Sequence, residues 1–375
     1  MVFMNYDIAI IGGGNAGLSF AKQLFEKRLT TNIIIIEPIE AKKKQATWCS
    51  WQANNKLDLN DTSIKGIWDK WRITNNQETV FHESAKYKYV CRDAATYLNN
   101  IEAVLENNDI RILRDKVISA TLNNNKKLIL CESGTITANH VYDSRGPQLS
   151  DNLLKQHFTG VEFELEKGNI LVDKCVTLMD FSVTQESGLH FIYALPFSDS
   201  RIFVESTVIS KQLNSPEWYK EQINTWLKQK GMKTSRIISS ERGIIVQEYL
   251  KTANDITHHI GAGGGATRLA TGYAFHNINH QIDLLIQNIK SNNYNVPMIM
   301  SAFTMNMDQL FNKVLINNPA LSVDIFVKTA KALSGDQFSD FMLNQTNFNI
   351  WYKIVRNMPK TPFIRELIKK FGDRW

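Results

Sequence analysis

The chain of 375 residues is poor in cysteine, with only Cys49, Cys91, Cys131 and Cys175. They lie far apart, with no CxxC pair and no Cys/His ligand spacing. A disulfide framework and a zinc centre are therefore not expected, and the four read as reduced thiols in a reducing compartment. No apolar run reaches the roughly eighteen residues of a spanning helix. The N-terminus has no basic segment ahead of an apolar one, and a strand begins at Tyr6, so no signal peptide is expected. Internal repeats and a Pro/Ser-rich linker are also missing. Charge of one sign is scarce: 43 Lys and Arg against 37 Asp and Glu leave +6. That balance is too diffuse to argue for nucleic acid. Hydrophobic residues at 43% and charged residues at 21% are ordinary for a chain with a sizeable core, which excludes disorder as the dominant state. Composition leaves two readings open, a freely soluble cytoplasmic protein or one at a membrane surface.

The most informative segment comes first. Tyr6–Ile11 is a short apolar run typical of a buried parallel strand. Gly12-Gly-Gly-Asn-Ala-Gly17 follows, then Leu18, Ala21, Leu24 and Phe25 at helical spacing. A second apolar run, Asn32–Ile36, ends at Glu37. This is a βαβ unit, which crosses over right-handed into a parallel sheet. Gly12 permits the tight turn, Gly14 lets a pyrophosphate approach the backbone, Ala16 lies in the same loop, and Gly17 allows close helix–strand packing. The helix N-terminus favours phosphate, and Glu37 can accept from ribose hydroxyls. A glycine turn without a ligand is the competing reading.

A second glycine cluster spans Gly261 to Tyr273, with Gly261, Gly263, Gly264, Thr271 and Gly272 as contact candidates. Two such clusters are more than NAD needs. They suit FAD, one loop for the ADP pyrophosphate and one for the flavin end. Asp143-Ser-Arg-Gly-Pro147 suits a loop near that cofactor, with Asp143 or Arg145 binding flavin or orienting its surroundings. The plan is α/β. A Rossmann-like FAD-binding domain is assembled from 1–45, 86–150 and 255–290. A β-rich substrate domain from 46–85 and 151–254 is inserted, and a helical part follows over 291–375. Segments 190–195 and 201–207 read as a hairpin around a loop at 196–200.

With these motifs in view, the chain resembles the flavoprotein-type lycopene cyclases. The matching pieces run in order. They are Asp7–Gly17 with Glu37; Thr47-Trp-Cys-Ser-Trp51; Asp143–Pro147; Gln156–Gly160; Leu178–Phe181; Phe191–Pro196; Phe203–Thr207; and Gly261–Tyr273. The last hundred residues match only loosely. The resemblance implies an FAD-binding fold of the flavin hydroxylase type and a reaction without net redox change. In it, an acid protonates the ψ-end of lycopene, the cation closes a six-membered ring, and proton loss gives a β-ionone ring. It implies that the reduced flavin is the active form, with NAD(P)H as reductant. It also assigns Glu205 as the catalytic acid. The family segment carries two adjacent acids; here the second position is Ser206.

The residues themselves agree about Glu205. Alternation over 201–207 puts Phe203, Glu205 and Thr207 on one face. A carboxylate there is costly unless it serves a purpose, and burial would raise its pKa toward that of a general acid. A cation needs an anion, aromatic faces and excluded water. Trp48, Trp51, Phe191, Tyr193 and Phe203 are the wall candidates. An exposed strand carboxylate paired with Lys is the alternative. Asp180 is a second buried-acid candidate or a core-edge residue. His190, His258, His259 and His276 show no ligand spacing and read as structural, and no metal is expected. Trp68 and Trp71 read as core.

Lycopene is insoluble in water, so the partners expected are an apolar carotenoid and a membrane surface. The expected location is cytoplasmic, peripheral to the inner face of the membrane. After Pro362, residues Phe363, Ile364, Leu367, Ile368 and Phe371 recur at helical spacing beside Arg365, Lys369 and Lys370. Trp351, Trp375, Lys353, Arg356 and Lys360 add aromatic and basic character. That suits a helix in anionic headgroups or an amphipathic helix packed on the core. Rival functions are an FAD oxidoreductase on an isoprenoid or other apolar substrate, such as a hydroxylase or prenyl reductase, and a flavin- or lipid-binding protein without catalysis. The oligomeric state is not legible.

Overall fold

Isoleucines at 8, 10 and 11 and at 33–36 put apolar side chains on both faces of their strands, which only a sheet covered on both sides can bury. The computed structural model, which describes residues 5–123, 126–168, 174–250 and 256–372, has this arrangement. Strand β1 (Asn5–Ile11) leads into helix α1 (Asn15–Glu26) and back to β2 (Ile33–Ile36). Next come β3 (Thr47–Ala53), β4 (Ile64–Trp68), β5 (Lys70–Thr74), β6 (Thr79–Glu83) and β7 (Tyr87–Asp93). Helix α2 (Ala94–Glu106) is capped by Asp93, whose side chain accepts from Thr96 N–H at 2.8 Å. Then follow β8 (Arg111–Leu113), β9 (Val117–Asn123), β10 (Lys126–Cys131) and β11 (Thr135–Asp143).

The first sheet has the order β8-β2-β1-β11-β10-β9. Its β8, β2, β1 and β11 run parallel, and β9 to β11 form an antiparallel meander. One face packs on α1, α2 and a later helix through Leu18, Phe20, Leu24, Leu98, Leu105 and Leu285. The opposite face carries a second core that includes Tyr6, Ile11, Ile129 and Val141.

The second sheet is built from longer strands. These are β12 (Lys155–Leu165), β13 (Val176–Asp180), β14 (Leu189–Ser198) and β15 (Arg201–Ser210), followed by α3 (Pro216–Gln229) and β16 (Thr234–Val246). Its order is β16-β12-β15-β14-β13-β5-β6. Alternation divides β15: Ile202 and Val204 pack under α3 against Ile223 and Trp226, while Phe203 and Ile209 face the other way. Between the two large sheets β3, β7 and β4 form a small one. The hairpin is tighter than the expected loop at 196–200. Strand β14 runs through Pro196 to Ser198, and only Asp199 and Ser200 turn the chain. The ladder shifts register between Pro196 and Ser198, a bulge where a residue without an N–H is tolerated.

Strand β17 (His258–His259) joins β11, and α4 (Phe275–Lys290) packs on α1. The chain ends in α5 (Ala302–Asn317), α6 (Ser322–Ala332), α7 (Gly335–Met342), α8 (Phe348–Asn357) and α9 (Lys360–Gly372). Residues of α5 to α8 cover the Phe203 face of the second sheet, sharing a core with Trp51, Trp68 and Trp71. Burying each such large side chain contributes roughly 1.5–3 kcal/mol. Arg268 locks this cap to the second glycine loop. Fully buried, it pairs with Asp308 of α5 at 2.9 Å, donates to Phe341 O at 2.6 Å, and lies over the Phe341 ring. Among the described residues no helix is long and apolar enough to cross a membrane.

Candidate active site

Three loops meet at the C-terminal edge of the first sheet, the place where open α/β sheets bind ligands. The first is Gly12–Gly17. Gly12 has φ +95°, and a Cβ on Gly17 would lie 2.1 Å from Gly12 O, so only glycine lets α1 start this close to β1. Helix α1 has no side-chain cap, a Cβ on Gly14 would meet nothing within 4 Å, and the buried Asn15 Nδ2 has no partner. These are the marks of a cradle for an anion at a helix N-terminus. Glu37 accepts from Gly13 N–H at 2.7 Å, Ile39 N–H at 2.9 Å and Lys44 Nζ at 2.7 Å. Burial opposes ionisation, yet these bonds hold its carboxyl below the usual range. A carboxylate has about four acceptor positions, so three donors leave room for a ribose hydroxyl.

The second loop follows β11. Asp143 stands opposite Ile11, and its carboxylate takes a two-pronged contact from Arg145, with Nε 2.9 Å from Oδ1 and Nη2 2.6 Å from Oδ2. Ser144 Oγ donates to Ile11 O and Gly12 O, tying this loop to the first. The third is the second glycine cluster. A Cβ on Gly261 would lie 2.7 Å from Ala16 Cβ, and one on Gly263 would lie 2.6 Å from Arg145 O. Gln281 of α4 braces it, accepting from Gly261 N–H and donating to Gly264 O. Gly12, Gly14, Ala16, Gly17, Glu37, Asp143, Arg145, Gly261, Gly263 and Gly264 are thus brought together. Thr271 and Gly272 lie further on, where the chain turns toward the second sheet.

That turn delivers Tyr273. Its hydroxyl bonds Tyr89 OH at 2.7 Å, and Tyr89 OH bonds Tyr193 OH at 2.8 Å. Tyr193 stands directly across the ladder from Glu205. The phenol chain therefore joins the cofactor-side loop to the sheet that carries Glu205. Glu205 is buried, and Thr207 Oγ1 donates to its Oε1 at 2.5 Å. Burial first, and the nearby Glu241 second, push its pKa up to about 8 against the pull of Thr207. Burial also raises Tyr89, Tyr193 and Tyr273 well above the usual phenol range, so all three are neutral. The phenyl ring of Phe203 lies over Gly160, where a Cβ would come within 2.3 Å of it.

The aromatic candidates separate. Phe191, Tyr193 and Phe203 share the Glu205 face, and Trp51 packs on Tyr89 at 4.6 Å and on Tyr273 at 5.3 Å. Trp48 points elsewhere, against Tyr97 and Phe275 beside the first sheet. Asp180 is buried on the α3 side, held by Trp226 Nε1 at 2.9 Å and Lys230 at 3.1 Å. Burial opposes ionisation there too, but these partners keep its carboxyl low, which makes it a structural anion and not a proton donor. Ser206 also faces α3: its Oγ lies 3.0 Å from His190 Nε2, and His190 Nδ1 bonds Thr184 O. Position 206 is thus behind the reacting face, and serine there leaves the surroundings of Glu205 unaltered. Among the described residues no cluster of His, Cys, Asp and Glu is arranged to hold a metal ion.

Sequence reasoning named Thr47 and Gly160 only as parts of family segments, with no role, and missed Lys65 and Glu241. Glu241 lies on edge strand β16 in an alternating stretch without aromatics, and only the ladder brings it opposite Gly160.

The chain matches the family described as "Lycopene cyclase protein" over residues 7–309. It is 26% identical over 296 residues to a chromoplastic capsanthin/capsorubin synthase of Citrus sinensis, a match covering 72% of this chain and 57% of that one. It is 25% identical over 293 residues to a chloroplastic lycopene beta cyclase of an Oncidium hybrid cultivar, covering 71% and 60%. A 74-residue stretch, 19% of either chain, is 43% identical to a lycopene beta-cyclase of Paracoccus sp. (strain N81106 / MBIC 01143). The chain thus spans less than two thirds of the length of these relatives. Among solved structures, a geranylgeranyl bacteriochlorophyll reductase-like protein of Thermoplasma acidophilum superposes with a TM-score of 0.65. It has 14% identity and covers 98% of this chain and 100% of that one. A flavoprotein/dehydrogenase of Cytophaga hutchinsonii gives 0.60 at 10% identity, covering 98% and 100%. The fold is therefore that of these flavoproteins, and the chain belongs to the lycopene cyclase family.

Proposed function

We propose that the chain is an FAD-dependent lycopene cyclase that forms β-ionone rings without net redox change. The observation that carries this reading is Glu205, a buried carboxyl that stays protonated at neutral pH on a face lined by Phe203 and Tyr193. Glu205 gives its proton to the ψ-end of lycopene, the cation closes the ring, and loss of one proton restores neutrality. The carboxylate left on Glu205 stabilises the positive charge, as do the faces of neutral aromatic rings. Thr207 fixes the carboxyl rotamer, and the closed aromatic surroundings exclude the water that would quench a cation.

The anion cradle at α1, the open space at Gly14 and the remaining acceptor position on Glu37 fit the ADP half of FAD. Asp143, Arg145 and the Gly261–Gly264 loop would hold its flavin half. Held there in its reduced form, with NAD(P)H as the class of reductant, the flavin would supply electron density that stabilises positive charge. An apolar substrate must come from lipid, and the C-terminal helices suit that. Phe348, Tyr352 and Val355 lie along an exposed face of α8, and Ile364, Leu367 and Ile368 are exposed on α9 beside Arg365 and Lys369. Helix α9 turns Glu366 inward, where it binds Lys369, and its apolar side chains outward. Peripheral attachment at the inner face of the membrane follows from this reading. The side chains of Lys370, Phe371 and Trp375 lie outside the described residues.

Expression in a lycopene-accumulating bacterium tests the reading. A shift from red to orange-yellow, with rings counted by chromatography, is the expected result. Glu205→Gln should lose at least about a hundredfold in ring formation while retaining flavin absorbance. Substantial activity in that variant sinks the acid assignment. Consumption of NAD(P)H in stoichiometry with product would replace the cyclase with an oxidoreductase acting on an isoprenoid.

A further inference from the structure

Strand β12 presents Gly160 between two acids. In one direction the ladder pairs Gly160 with Glu205 of β15, and in the other with Glu241 of β16. Directly opposed residues share a face, so both carboxylates project from the same side of the sheet, separated by a residue without a side chain. The ring of Phe203 fills the space over Gly160: a Cβ there would lie 2.3 Å from the ring and 3.3 Å from Glu241 Cγ. Glu241 is anchored from the small sheet by Thr47 Oγ1, which donates to its Oε2 at 2.7 Å.

The charged groups around this row can be followed element by element. Strand β4 brings Lys65, whose Nζ lies 2.7 Å from Glu162 of β12 and acts attractively on Glu241. Strand β15 brings Arg201, also paired with Glu162. Strands β3 and β7 bring Cys49, Tyr89 and Cys91, β14 brings Tyr193 and the glycine loop brings Tyr273; burial raises Tyr89, Cys91, Tyr193 and Tyr273 well above their usual ranges. Burial raises the Glu241 carboxyl above the usual carboxylate range, Thr47 and Lys65 pull it back down, and Asp93, the α2 cap at the end of β7, adds to the raising. Among the described residues, Lys65 and Arg201 both bind Glu162, and Lys65 also attracts Glu241. Glu162 holds both cations and Glu241 holds Thr47 with Lys65 nearby, whereas Glu205 is bonded by the Thr207 hydroxyl and repelled by Glu241. The proton belongs on Glu205.

We propose that Glu241 is a positioning residue for Glu205: its anchored carboxylate, across Gly160, keeps the acid on β15 loaded with a proton at neutral pH. This rests on the acid role proposed for Glu205 above. It does not require Glu241 to touch substrate. Two carboxylates in one low-dielectric site cannot both ionise readily, so the one lacking a cation keeps its proton to higher pH.

The test reads Glu205 directly. In protein labelled with carboxyl-¹³C glutamate, infrared difference spectra against pH report the protonated carboxyl, and the band lost in Glu205→Gln identifies it. Glu241→Gln keeps an acceptor for Thr47 but removes the charge. The Glu205 midpoint should then fall by roughly one pH unit or more, and the alkaline limb of ring formation should move by the same amount. Glu241→Asp should restore most of the shift. If Glu241→Gln does not fold, Thr47→Val serves instead: loss of the anchor makes Glu241 harder to ionise and should also lower the midpoint. An unchanged midpoint in a folded variant overturns the proposal, as does a Glu205 ionised throughout neutral pH. A shifted midpoint in a protein that forms no rings would sink the cyclase reading and leave the coupling standing. Ring formation that needs Glu205 but ignores Glu241 would do the reverse.

Discussion

Replacing Glu205 with glutamine should make the protein more stable, and increasingly so as pH rises. The carboxyl has an ordinary value of 4.5 and is raised to about 8 in the folded chain. Between those values the folded state binds the proton more tightly than the unfolded state does. Stability therefore falls as pH rises through this window, the reverse of a salt-bridged carboxylate. At 1.36 kcal/mol for each pH unit of difference, the cost of Glu205 is about 1 kcal/mol at pH 5, about 3 kcal/mol at pH 7 and about 5 kcal/mol at pH 9. Glutamine cannot ionise, has nearly the same shape, and can still accept from Thr207 Oγ1.

The assay is urea unfolding of both proteins at pH 5, 7 and 9, with the cofactor state held constant. The gap between the curves matters more than either curve, because every other titrating group contributes to both. Glu205→Gln should unfold at higher urea, with a gap that widens by a few kcal/mol from acid to alkali. Parallel pH dependences would refute the reasoning, since they would mean that Glu205 is ionised in the folded protein. The same substitution should abolish ring formation, so a side chain that costs the fold stability at neutral pH is the one the proposed chemistry needs.

Other changes follow from the same contacts. Gly17→Ala puts a methyl 2.1 Å from Gly12 O and 2.8 Å from Ser144 Oγ. It should purify without flavin absorbance; a fully yellow protein would argue against the cradle. Arg268→Ala strands Asp308 in the core and should cost about 3–5 kcal/mol by thermal or urea unfolding, and a neutral result would mean the cap is held otherwise. Ser206→Ala removes the hydroxyl beside His190, should cost roughly 1 kcal/mol, and should leave ring formation unchanged; a large loss of activity would return position 206 to the site. Acidic substitutions at Phe348, Ile364 and Ile368, of which Phe348 is 86% exposed, should abolish flotation with anionic liposomes without moving the unfolding midpoint. Unchanged flotation would place the lipid contact elsewhere.

The cofactor half of the molecule was legible because its determinants are local. A strand, a glycine turn, a helix and an acid at the next strand end occur within Tyr6–Glu37, and Gly12 and Gly17 are forced by backbone geometry at their own positions. The family segments carried Glu205, and alternation placed Phe203 and Thr207 beside it. Alternation also held the answer for Ser206 and Asp180, whose neighbours point to opposite faces, but which face meets substrate depends on where α3 docks. The extent of the hairpin was misjudged because Pro196 reads as a loop residue until the bulge beside it is seen. Trp48 and Trp51, three apart on one strand, point into different cores.

What stayed illegible depends on register between strands distant in sequence. Glu241 is separated from Glu205 by α3 and most of β16, and nothing in its own neighbourhood distinguishes it from any acid on an edge strand. Gly160 ends a family segment, but the reason for its glycine is no more local: it is required neither by a turn nor by a positive φ, but by the Phe203 ring from the neighbouring strand. The phenol chain draws Tyr89, Tyr193 and Tyr273 from three elements; Tyr193 and Tyr273 lie in segments that carry the family resemblance, and Tyr89 lies in none. A buried acid is visible in sequence as a local inconsistency, a charge on an apolar face. The groups that decide its proton are visible only once the sheet has set them side by side, which is why the second carboxylate across Gly160, and not the first, required the structure.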